Sequence, residues 1–212
     1  MRPINIAVMV SGHGRGSNLQ AIIDACKDGR ITGQVAVVIG TKDDTPAMER
    51  ARNADISTVA ISPKACGSDE VYAARVLETL AEYKVDLVCL AGYMRVLPSS
   101  IISVYRHRVM NIHPALIPLF CGQGMFGEHV HQAVLDYGMK VSGCTVHFVD
   151  EEYDTGPIIL QKTVPVEEGD TADTLGARVL VQEHKAYPEA IQLFAEGRLK
   201  VKGRVVWVLP RT

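Results

Sequence analysis

The chain has 212 residues, of which 47% are hydrophobic and 22% are charged, and its formal net charge at pH 7 is −2. These values are typical of a globular protein with a core of ordinary size, and they predict a single domain over residues 1–212. The sequence has no basic run that would follow a nucleic-acid backbone, and no apolar segment long enough for a membrane span or a signal peptide. We therefore expect a cytoplasmic protein that acts on small molecules and binds neither nucleic acid nor a membrane.

The first half of the sequence alternates apolar runs with amphipathic segments. Near-continuous apolar runs predict buried strands, and apolar residues spaced three and four apart predict helices between them. In chain order, the predicted strands are 4–10, 35–40, 57–61, 85–92 and 107–112, and the predicted helices are 17–28, 46–54, 68–83 and a short one from about 98.

Two of these helices carry local signals in their sequences. Thr45 followed by Pro46 is a typical cap and first position of a helix. The helix predicted over 68–83 has apolar residues at helical spacing, which predict its buried face. These residues are Val71, Ala74, Leu77, Leu80 and Ala81.

The second half of the sequence predicts a different order of elements. A helix over 126–138 is followed by strands 141–149 and 157–166, a long helix 171–196, and a hairpin 197–209 that turns at Lys202-Gly203. Alternating β and α segments predict an α/β fold of Rossmann-like topology. We expect a mostly parallel central sheet with helices on both faces and a C-terminal hairpin.

An asparagine and a histidine end the strand predicted over 107–112. Side chains two residues apart on a strand point the same way, so Asn111 and His113 lie side by side. Pro114 cannot donate a ladder hydrogen bond, so strand pairing ends there. The alternative is an ordinary hydrogen-bonded pair in a loop.

The segment SGHGRGSN (11–18) lies between the first strand and the first helix. Its glycines allow close approach of the backbone to a ligand, and a helix N-terminus favours an anion. The glycines form GxGxG, which is neither a P-loop nor the dinucleotide motif GxGxxG. A mononucleotide or phosphate site is favoured over a merely flexible connection, because Arg15 adds a positive charge that a structural turn does not need.

Two further segments contain charged residues at the ends of predicted strands. AGYMRVLP (91–98) places a basic residue in an apolar context, and VDEEYDTGP (149–157) contains four carboxylates. A carboxylate beside His113 would orient its imidazole and raise its pKa. The four are Asp150, Glu151, Glu152 and Asp154, and spacing alone does not choose among them.

The sequence does not predict a metal site. The five cysteines are scattered and lack a CxxC pattern, which indicates free thiols. The histidines of HVH (129–131) are two residues apart on a predicted helix and so do not share a face.

Taken together, these motifs resemble the folate-dependent formyltransferase family. The resemblance covers about residues 4–208, and within the family it is to members that formylate glycinamide ribonucleotide. It rests on the segments NIHPALIP, AGYMRVLP, SGHGRGSNLQ, HFVDEEYDTGPIILQ and VQEHKAYP. It implies transfer of the formyl group from 10-formyltetrahydrofolate to the amino group of 5'-phosphoribosylglycinamide in purine biosynthesis, by an enzyme that needs no metal and is a monomer or homodimer.

The resemblance also implies a role for each matching residue. Asn111 and His113 would stabilise the oxyanion after direct attack by the amine, with His113 as general acid, while Asp154 raises the pKa of His113 and assists proton transfer. The implied ligand contacts are Gly16, Ser17, Asn18 and Arg15 for the substrate phosphate, Glu183 for the glycinamide end, and Met94, Arg95, Val96, Leu97 and Asn111 for the folate.

The sequence departs from the family pattern in three places. The first loop is longer by two residues, and Asp69 stands where relatives often have a basic residue that helps to bind ligand. Arg15 or Lys64 is expected to compensate for that residue. The segment 120–131 is also longer than a minimal loop, and it is expected to be either a lid or an ordinary surface loop.

Other functions remain as alternatives. A formyltetrahydrofolate deformylase shares the three catalytic residues, but usually has an extra N-terminal domain, whereas this sequence begins directly with a strand. Formyltransferases directed to tRNA need a further domain and a basic surface, and sugar-directed relatives also exist. A non-catalytic nucleotide-binding module leaves the three residues without a shared purpose. A dinucleotide dehydrogenase is disfavoured because this sequence lacks the glycine pattern of that class, although Asp43 lies near where a ribose-binding acid would fall.

Overall fold

The computed structural model describes residues 2–12 and 14–211, and His13 of the glycine-rich loop lies outside this range. The chain divides into two compact units, Met1–Met110 and Asn111–Thr212. The single domain over 1–212 remains a prediction.

The first unit is an α/β layer whose strands are parallel. Its four strands lie in the order β3-β2-β1-β4, and each neighbouring pair is parallel. A further strand, β5, starts in this unit and ends in the next. The elements are β1 (Ile4–Val10), α1 (Ser17–Lys27), β2 (Gly33–Gly40), α2 (Pro46–Asn53), β3 (Ser57–Ala60), α3 (Pro63–Cys66), α4 (Asp69–Glu82), β4 (Leu87–Leu90), α5 (Ser99–Val104) and β5 (Val109–His113).

Strand β1 shows why an apolar run becomes a central strand. Consecutive residues from Ile6 to Val10 are all buried, although successive side chains point to opposite faces of the sheet. Both faces of β1 are therefore covered, as is typical of a parallel sheet. Helix α2 begins as the sequence predicts, because the Thr45 side chain accepts a hydrogen bond from the Met48 N–H and Pro46 takes the first helical position.

The structure corrects one local prediction for the first unit and adds a helix that the sequence did not predict. Strand β4 is shorter than the predicted 85–92, because the chain turns at Gly92, whose φ is +69°, and the Gly92 carbonyl accepts a hydrogen bond from the Ser11 N–H. The one-turn helix α3 was not predicted, and it begins where the Ser62 side chain accepts a hydrogen bond from the Ala65 N–H.

The buried face of α4 is rotated from the predicted one. Val71 is 48% exposed, whereas its neighbour Tyr72 is 1% exposed and its hydroxyl lies 2.8 Å from that of Tyr93. The buried residues of this helix are Tyr72, Ala73, Val76, Thr79 and Leu80. Both sets of residues have helical spacing, and contact with the rest of the unit decides between them.

The second unit combines antiparallel strands with two helices. Strands β6 and β7 pair antiparallel, β7 and β9 meet in parallel at Ile158 and Val205, and β8 and β9 form the predicted hairpin. Helix α7 packs on β6, β7 and α6. The elements are α6 (Glu128–Asp136), β6 (Val141–Phe148), β7 (Ile158–Pro165), α7 (Ala172–Ala195), β8 (Leu199–Lys202) and β9 (Val205–Val208).

The α/β class, the parallel strands and the C-terminal hairpin predicted from the sequence are confirmed. All five cysteines lie in the described part of the chain, and no disulfide joins any of them. Within residues 2–12 and 14–211, none of the helices is both long and apolar enough to cross a membrane.

Candidate active site

Strand β5 delivers two polar side chains to one place in the second unit. Asn111 is partly buried and His113 is only 4% exposed, at the end of the strand. The chain after the strand is held by a buried hydroxyl, because Thr145 donates to the Ala115 carbonyl at 2.7 Å and accepts from the Ile117 N–H at 3.1 Å. The end of β5 is therefore fixed by β6, the strand on which Thr145 lies.

The turn between β6 and β7 brings one of the four carboxylates to this strand. Oδ2 of Asp154 lies 3.6 Å from Nδ1 of His113, and its Oδ1 accepts a hydrogen bond from Nδ2 of Asn111 at 3.4 Å. Asp150 instead accepts hydrogen bonds inside the turn from Thr155 and from the Glu152 N–H. Of the four carboxylates, Asp154 is therefore the one shown beside His113 and Asn111, which the sequence spacing did not determine.

The tight path of this turn depends on Gly156. A Cβ atom at this position would lie 1.8 Å from the carbonyl oxygen of Phe148, well inside contact distance. The Phe148 N–H donates to the Pro157 carbonyl at 2.9 Å, which closes the turn. Asp154 itself has a φ of +56°, a left-handed conformation that Asp and Asn adopt more readily than most residues.

The backbone of the segment after β5 binds both members of the His113–Asp154 pair. Nε2 of His113 donates to the Phe120 carbonyl at 2.8 Å, and the Gly122 N–H donates to Oδ2 of Asp154 at 3.0 Å. Both ring nitrogens of His113 therefore face an acceptor, which is the arrangement that suits a transient imidazolium. The start of the long 120–131 segment is thus part of the site.

Burial and the neighbouring charges shift the pKa values of His113 and Asp154 in opposite directions. Burial raises the pKa of Asp154, but the neighbouring imidazoles of His147 and His113 and the Gly122 N–H outweigh it, so the pKa of Asp154 lies below its usual value. Burial lowers the pKa of His113, and the Asp154 carboxylate raises it only part of the way back. The predicted effect of Asp154 on the pKa of His113 therefore has the expected sign, but the net pKa of His113 is lowered because desolvation is the larger effect.

A second histidine, His147, belongs to this cluster and was not predicted. It is 1% exposed on β6, and its Nε2 lies 3.2 Å from Nδ2 of Asn111 and 3.5 Å from Oδ1 of Asp154. The signal that would have found it is the strand period: His147 lies two residues from Thr145 in a predicted strand, as His113 does from Asn111. The four side chains of Asn111, His113, His147 and Asp154 form what we call the amide–imidazole cluster.

The glycine-rich loop lies in the first unit, at the N-terminus of α1. Gly16 has a φ of +70°, and α1 starts with Ser17 and has no side-chain cap and no acidic residue in its first turn. Within the described part of this helix end, no acidic side chain of the first turn offsets the positive end of the helix dipole, which favours an anionic ligand. The Arg15 side chain is exposed, while its carbonyl accepts a hydrogen bond from Nε of Arg50.

The segment 94–97 follows β4 and is tied to the end of β1. The Met94 N–H donates to the Ser11 hydroxyl at 2.9 Å, so the loops after residues 10 and 90 meet within the first unit, where ligands of open α/β sheets often bind. Met94, Arg95 and Val96 are exposed, but Leu97 is 2% exposed and belongs to the core.

Asp69 and Arg95 form an ion pair at 3.6 Å between exposed side chains, and such a pair is weak. Lys64 lies in α3 and is exposed, and its compensation for the basic residue absent at position 69 stays a prediction.

Glu183 is a buried carboxylate in the middle of α7, only 7% exposed. Burial raises the pKa of the Cys144 thiol on β6 to about 12, and the charge of Glu183 adds to that effect. Within the described residues, we find no group of three or more His, Cys, Asp or Glu side chains placed to hold a metal ion.

The family model and the curated relatives indicate the same family. A sequence model described as "Formyl transferase" matches residues 4–191. The phosphoribosylglycinamide formyltransferase of Escherichia coli K12 is 44% identical over 205 residues, covering 97% of this chain and 93% of that protein. Curated relatives also include trifunctional purine biosynthetic proteins, such as that of Bos taurus, of which this chain spans 20% of the length.

Solved structures agree with the sequence comparison. The glycinamide ribonucleotide transformylase 1 of Symbiobacterium toebii has a TM-score of 0.92 and 49% identity, covering 98% of this chain and 95% of that one. A formyltetrahydrofolate deformylase from Pseudomonas syringae pv. tomato has a TM-score of 0.85 and 25% identity, covering 99% of this chain and 67% of that one.

Proposed function

The chain belongs to the formyl transferase family, and from that premise we propose that it transfers the formyl group of 10-formyltetrahydrofolate to the amino group of 5'-phosphoribosylglycinamide, in purine biosynthesis. The observation that carries this proposal is the buried meeting of Asn111, His113 and Asp154, which unites two N–H donors with a carboxylate. The relatives named for this reaction support the choice of substrates.

The reaction needs an oxyanion stabiliser and a proton carrier, and the cluster offers both. The substrate amine attacks the formyl carbon, and the carbonyl electron pair moves onto oxygen. Asn111 donates an N–H to that oxygen, and such a donor contributes roughly 3–4 kcal/mol in comparable sites. As the new C–N bond forms, the amine loses a proton, and the folate nitrogen gains one when its bond to the formyl carbon breaks.

His113 carries that proton in our proposal. Because burial lowers the pKa of His113, its ring binds a proton weakly and gives it up readily to the leaving nitrogen. Asp154 has a lowered pKa and so remains ionised, which stabilises the imidazolium while it exists. Asp154 thus assists proton transfer through its charge.

We propose the following substrate contacts, each supported by a local feature of its own unit. Gly16, Ser17 and Asn18 at the N-terminus of α1 suit the phosphate, with Arg15 adding a charge. The exposed Met94, Arg95 and Val96 suit the folate, with Leu97 shaping the segment from within the core. Glu183 suits the amino end of the glycinamide, because a carboxylate accepts hydrogen bonds from the N–H groups of an amine.

A formyltetrahydrofolate deformylase is the second candidate, favoured by the structural similarity to the Pseudomonas syringae protein. In that case water replaces the amine as nucleophile at the same cluster. The deciding experiment follows formyl loss from 10-formyltetrahydrofolate by absorbance, with and without 5'-phosphoribosylglycinamide, and identifies the product by mass spectrometry. Turnover that requires the nucleotide and yields its formyl derivative supports the transferase; equal turnover in its absence supports the deformylase.

The same purified protein can be used to measure its metal dependence and its oligomeric state. We propose a monomer or homodimer that requires only its two small-molecule substrates, since C–N bond formation and cleavage balance without a metal ion. Treatment with a chelator should leave the rate unchanged, and sedimentation gives the oligomeric state.

A further inference from the structure

His147 has one ring nitrogen whose role is fixed by its backbone partner. Nδ1 lies 2.8 Å from the carbonyl oxygen of Phe148, and a carbonyl only accepts, so Nδ1 bears the proton. In a neutral imidazole, the other nitrogen is then an acceptor. Nε2 of His147 lies 3.2 Å from Nδ2 of Asn111, so the asparagine donates to the histidine.

The orientation of the Asn111 carboxamide follows from its two neighbours. Oδ1 of Asp154 is also an acceptor, and it lies 3.4 Å from the same Nδ2 atom. The two N–H groups of Asn111 therefore point at His147 and Asp154, and its oxygen points away from both. The reversed amide would set its oxygen against two acceptors and leave buried groups without hydrogen bonds.

The two hydrogen bonds of this amide differ in length. The bond to His147 is the shorter, and the contact with Asp154 is at the long end of the range for a hydrogen bond. The N–H directed at Asp154 is therefore the one that is more easily shared with a developing oxyanion. Its direction depends on the other N–H remaining on His147.

We propose that His147 is a positioning residue, which fixes the Asn111 carboxamide by accepting one of its N–H groups so that the other is presented to the formyl oxygen. This proposal rests on the proposed formyl transfer. His147 need not touch either substrate, and it acts through Asn111. The neighbouring titratable groups in the amide–imidazole cluster are His113 and Asp154.

A matched pair of substitutions tests this role. His147→Gln keeps a carbonyl oxygen that can reach the place of Nε2, whereas His147→Met has nearly the same length and no comparable acceptor. We expect kcat of the Met variant to fall by about 10- to 100-fold, less than the roughly 10²- to 10³-fold lost when a whole oxyanion donor is removed. The KM values for both substrates should stay within about twofold, and the Gln variant should recover most of kcat.

Equal losses in the Gln and Met variants, or a change confined to KM, would overturn the proposal. A double-mutant cycle adds a second readout: once Asn111 is replaced by Ala, His147→Met should have little further effect on kcat, because its effect passes through the missing amide. Additive losses in the double variant would show that His147 acts independently of Asn111.

A measurement that does not depend on activity separates this proposal from the proposed function. Nitrogen NMR of the imidazoles in the unmodified protein should show His147 with its proton on Nδ1, and the Nε2 resonance should shift in Asn111→Ala. A proton on Nε2, whether in the other tautomer or in a doubly protonated ring, would overturn the proposal, because that nitrogen could not accept from Asn111. If the tautomer is as expected but no formyl transfer occurs, the proposed function fails and the geometry stands.

Discussion

Oδ2 of Asp154 lies 3.6 Å from Nδ1 of His113, and both side chains are largely buried, at 11% and 4% exposure. The same oxygen accepts the Gly122 N–H, while the opposite nitrogen of the ring donates to the Phe120 carbonyl. The pair is therefore held at both ends by one short backbone segment. This arrangement favours a carboxylate that stays charged beside an imidazole that gains and loses its proton.

The first prediction concerns the carboxylate chosen by the structure. Asp154→Asn keeps the size and tolerates the left-handed φ, but removes the charge that opposes the effect of burial on His113. We expect kcat to fall by roughly 10²- to 10⁴-fold and the pKa of His113, followed by NMR, to move lower still. Glu152→Gln, an exposed carboxylate of the same turn, is the control and should change neither quantity. Similar effects of the two substitutions would argue against a specific role of Asp154.

The second prediction concerns stability in mild acid. Burial lowers the pKa of both His113 and His131 in the folded state, whereas an unfolded histidine titrates near pH ~6.5. The unfolded chain therefore binds more protons as the pH falls through that value, and the free energy of unfolding should decrease from about pH 6.5 downward. Urea denaturation at pH 7.5 and pH 5.5 measures the decrease. His131→Gln should make it smaller; an unchanged pH dependence in that variant would remove His131 as a cause.

The third prediction concerns the close approach at Gly156. Gly156→Ala would place a Cβ atom 1.8 Å from the Phe148 carbonyl oxygen, so the turn must move. We expect a loss of about 1–3 kcal/mol or more in the free energy of unfolding, measured by urea denaturation. Gly14→Ala is the control, because the nearest atom to its added Cβ is 3.9 Å away. A loss in Gly156→Ala no greater than in the control would contradict the close contact.

The fourth prediction concerns the buried hydroxyl pair of the first unit. The hydroxyls of Tyr72 and Tyr93 lie 2.8 Å apart, and burial raises the pKa of both side chains. Replacing either tyrosine by Phe leaves one buried hydroxyl without this partner and should cost about 1–3 kcal/mol of unfolding free energy. The double Phe variant should cost less than the sum of the two, by at least ~0.5 kcal/mol. Additive costs, measured by denaturant titration, would mean that the hydroxyls do not interact.

The fifth prediction concerns the charge in the glycine-rich loop. The Arg15 side chain is exposed, and its carbonyl is held by Arg50, so Arg15→Ala removes a charge without removing that hydrogen bond. A charge-assisted contact of about 1.5 kcal/mol corresponds to a roughly tenfold rise in KM for the nucleotide, with little change for the folate. Arg95→Ala, in the segment after β4, should show the reverse preference. Equal effects of Arg15→Ala on both KM values would exclude Arg15 as a specific phosphate ligand.

Local signals were enough for much of the fold. The apolar run of β1 and the Thr45–Pro46 start of α2 were predicted correctly, because strand burial and helix capping depend on residues close in sequence. Local signals failed for the face of α4, where Val71 is exposed and Tyr72 is buried. Two sets of residues on that helix have helical spacing, and contacts with the rest of the unit, such as that of Tyr72 with Tyr93, distinguish them.

For the site, the sequence by itself determined that Asn111 and His113 lie on one side of a strand, since the period of a strand is a local property. Spacing alone left four carboxylates open and the family resemblance pointed to Asp154, but only the tertiary structure showed its contacts, added His147, and gave the pKa of His113 its net direction. Each of these depends on the distance between groups that are many residues apart, and on how far water is excluded from them. Spacing along the chain carries no information about either quantity, whereas the packing of the turn and of β6 fixes both.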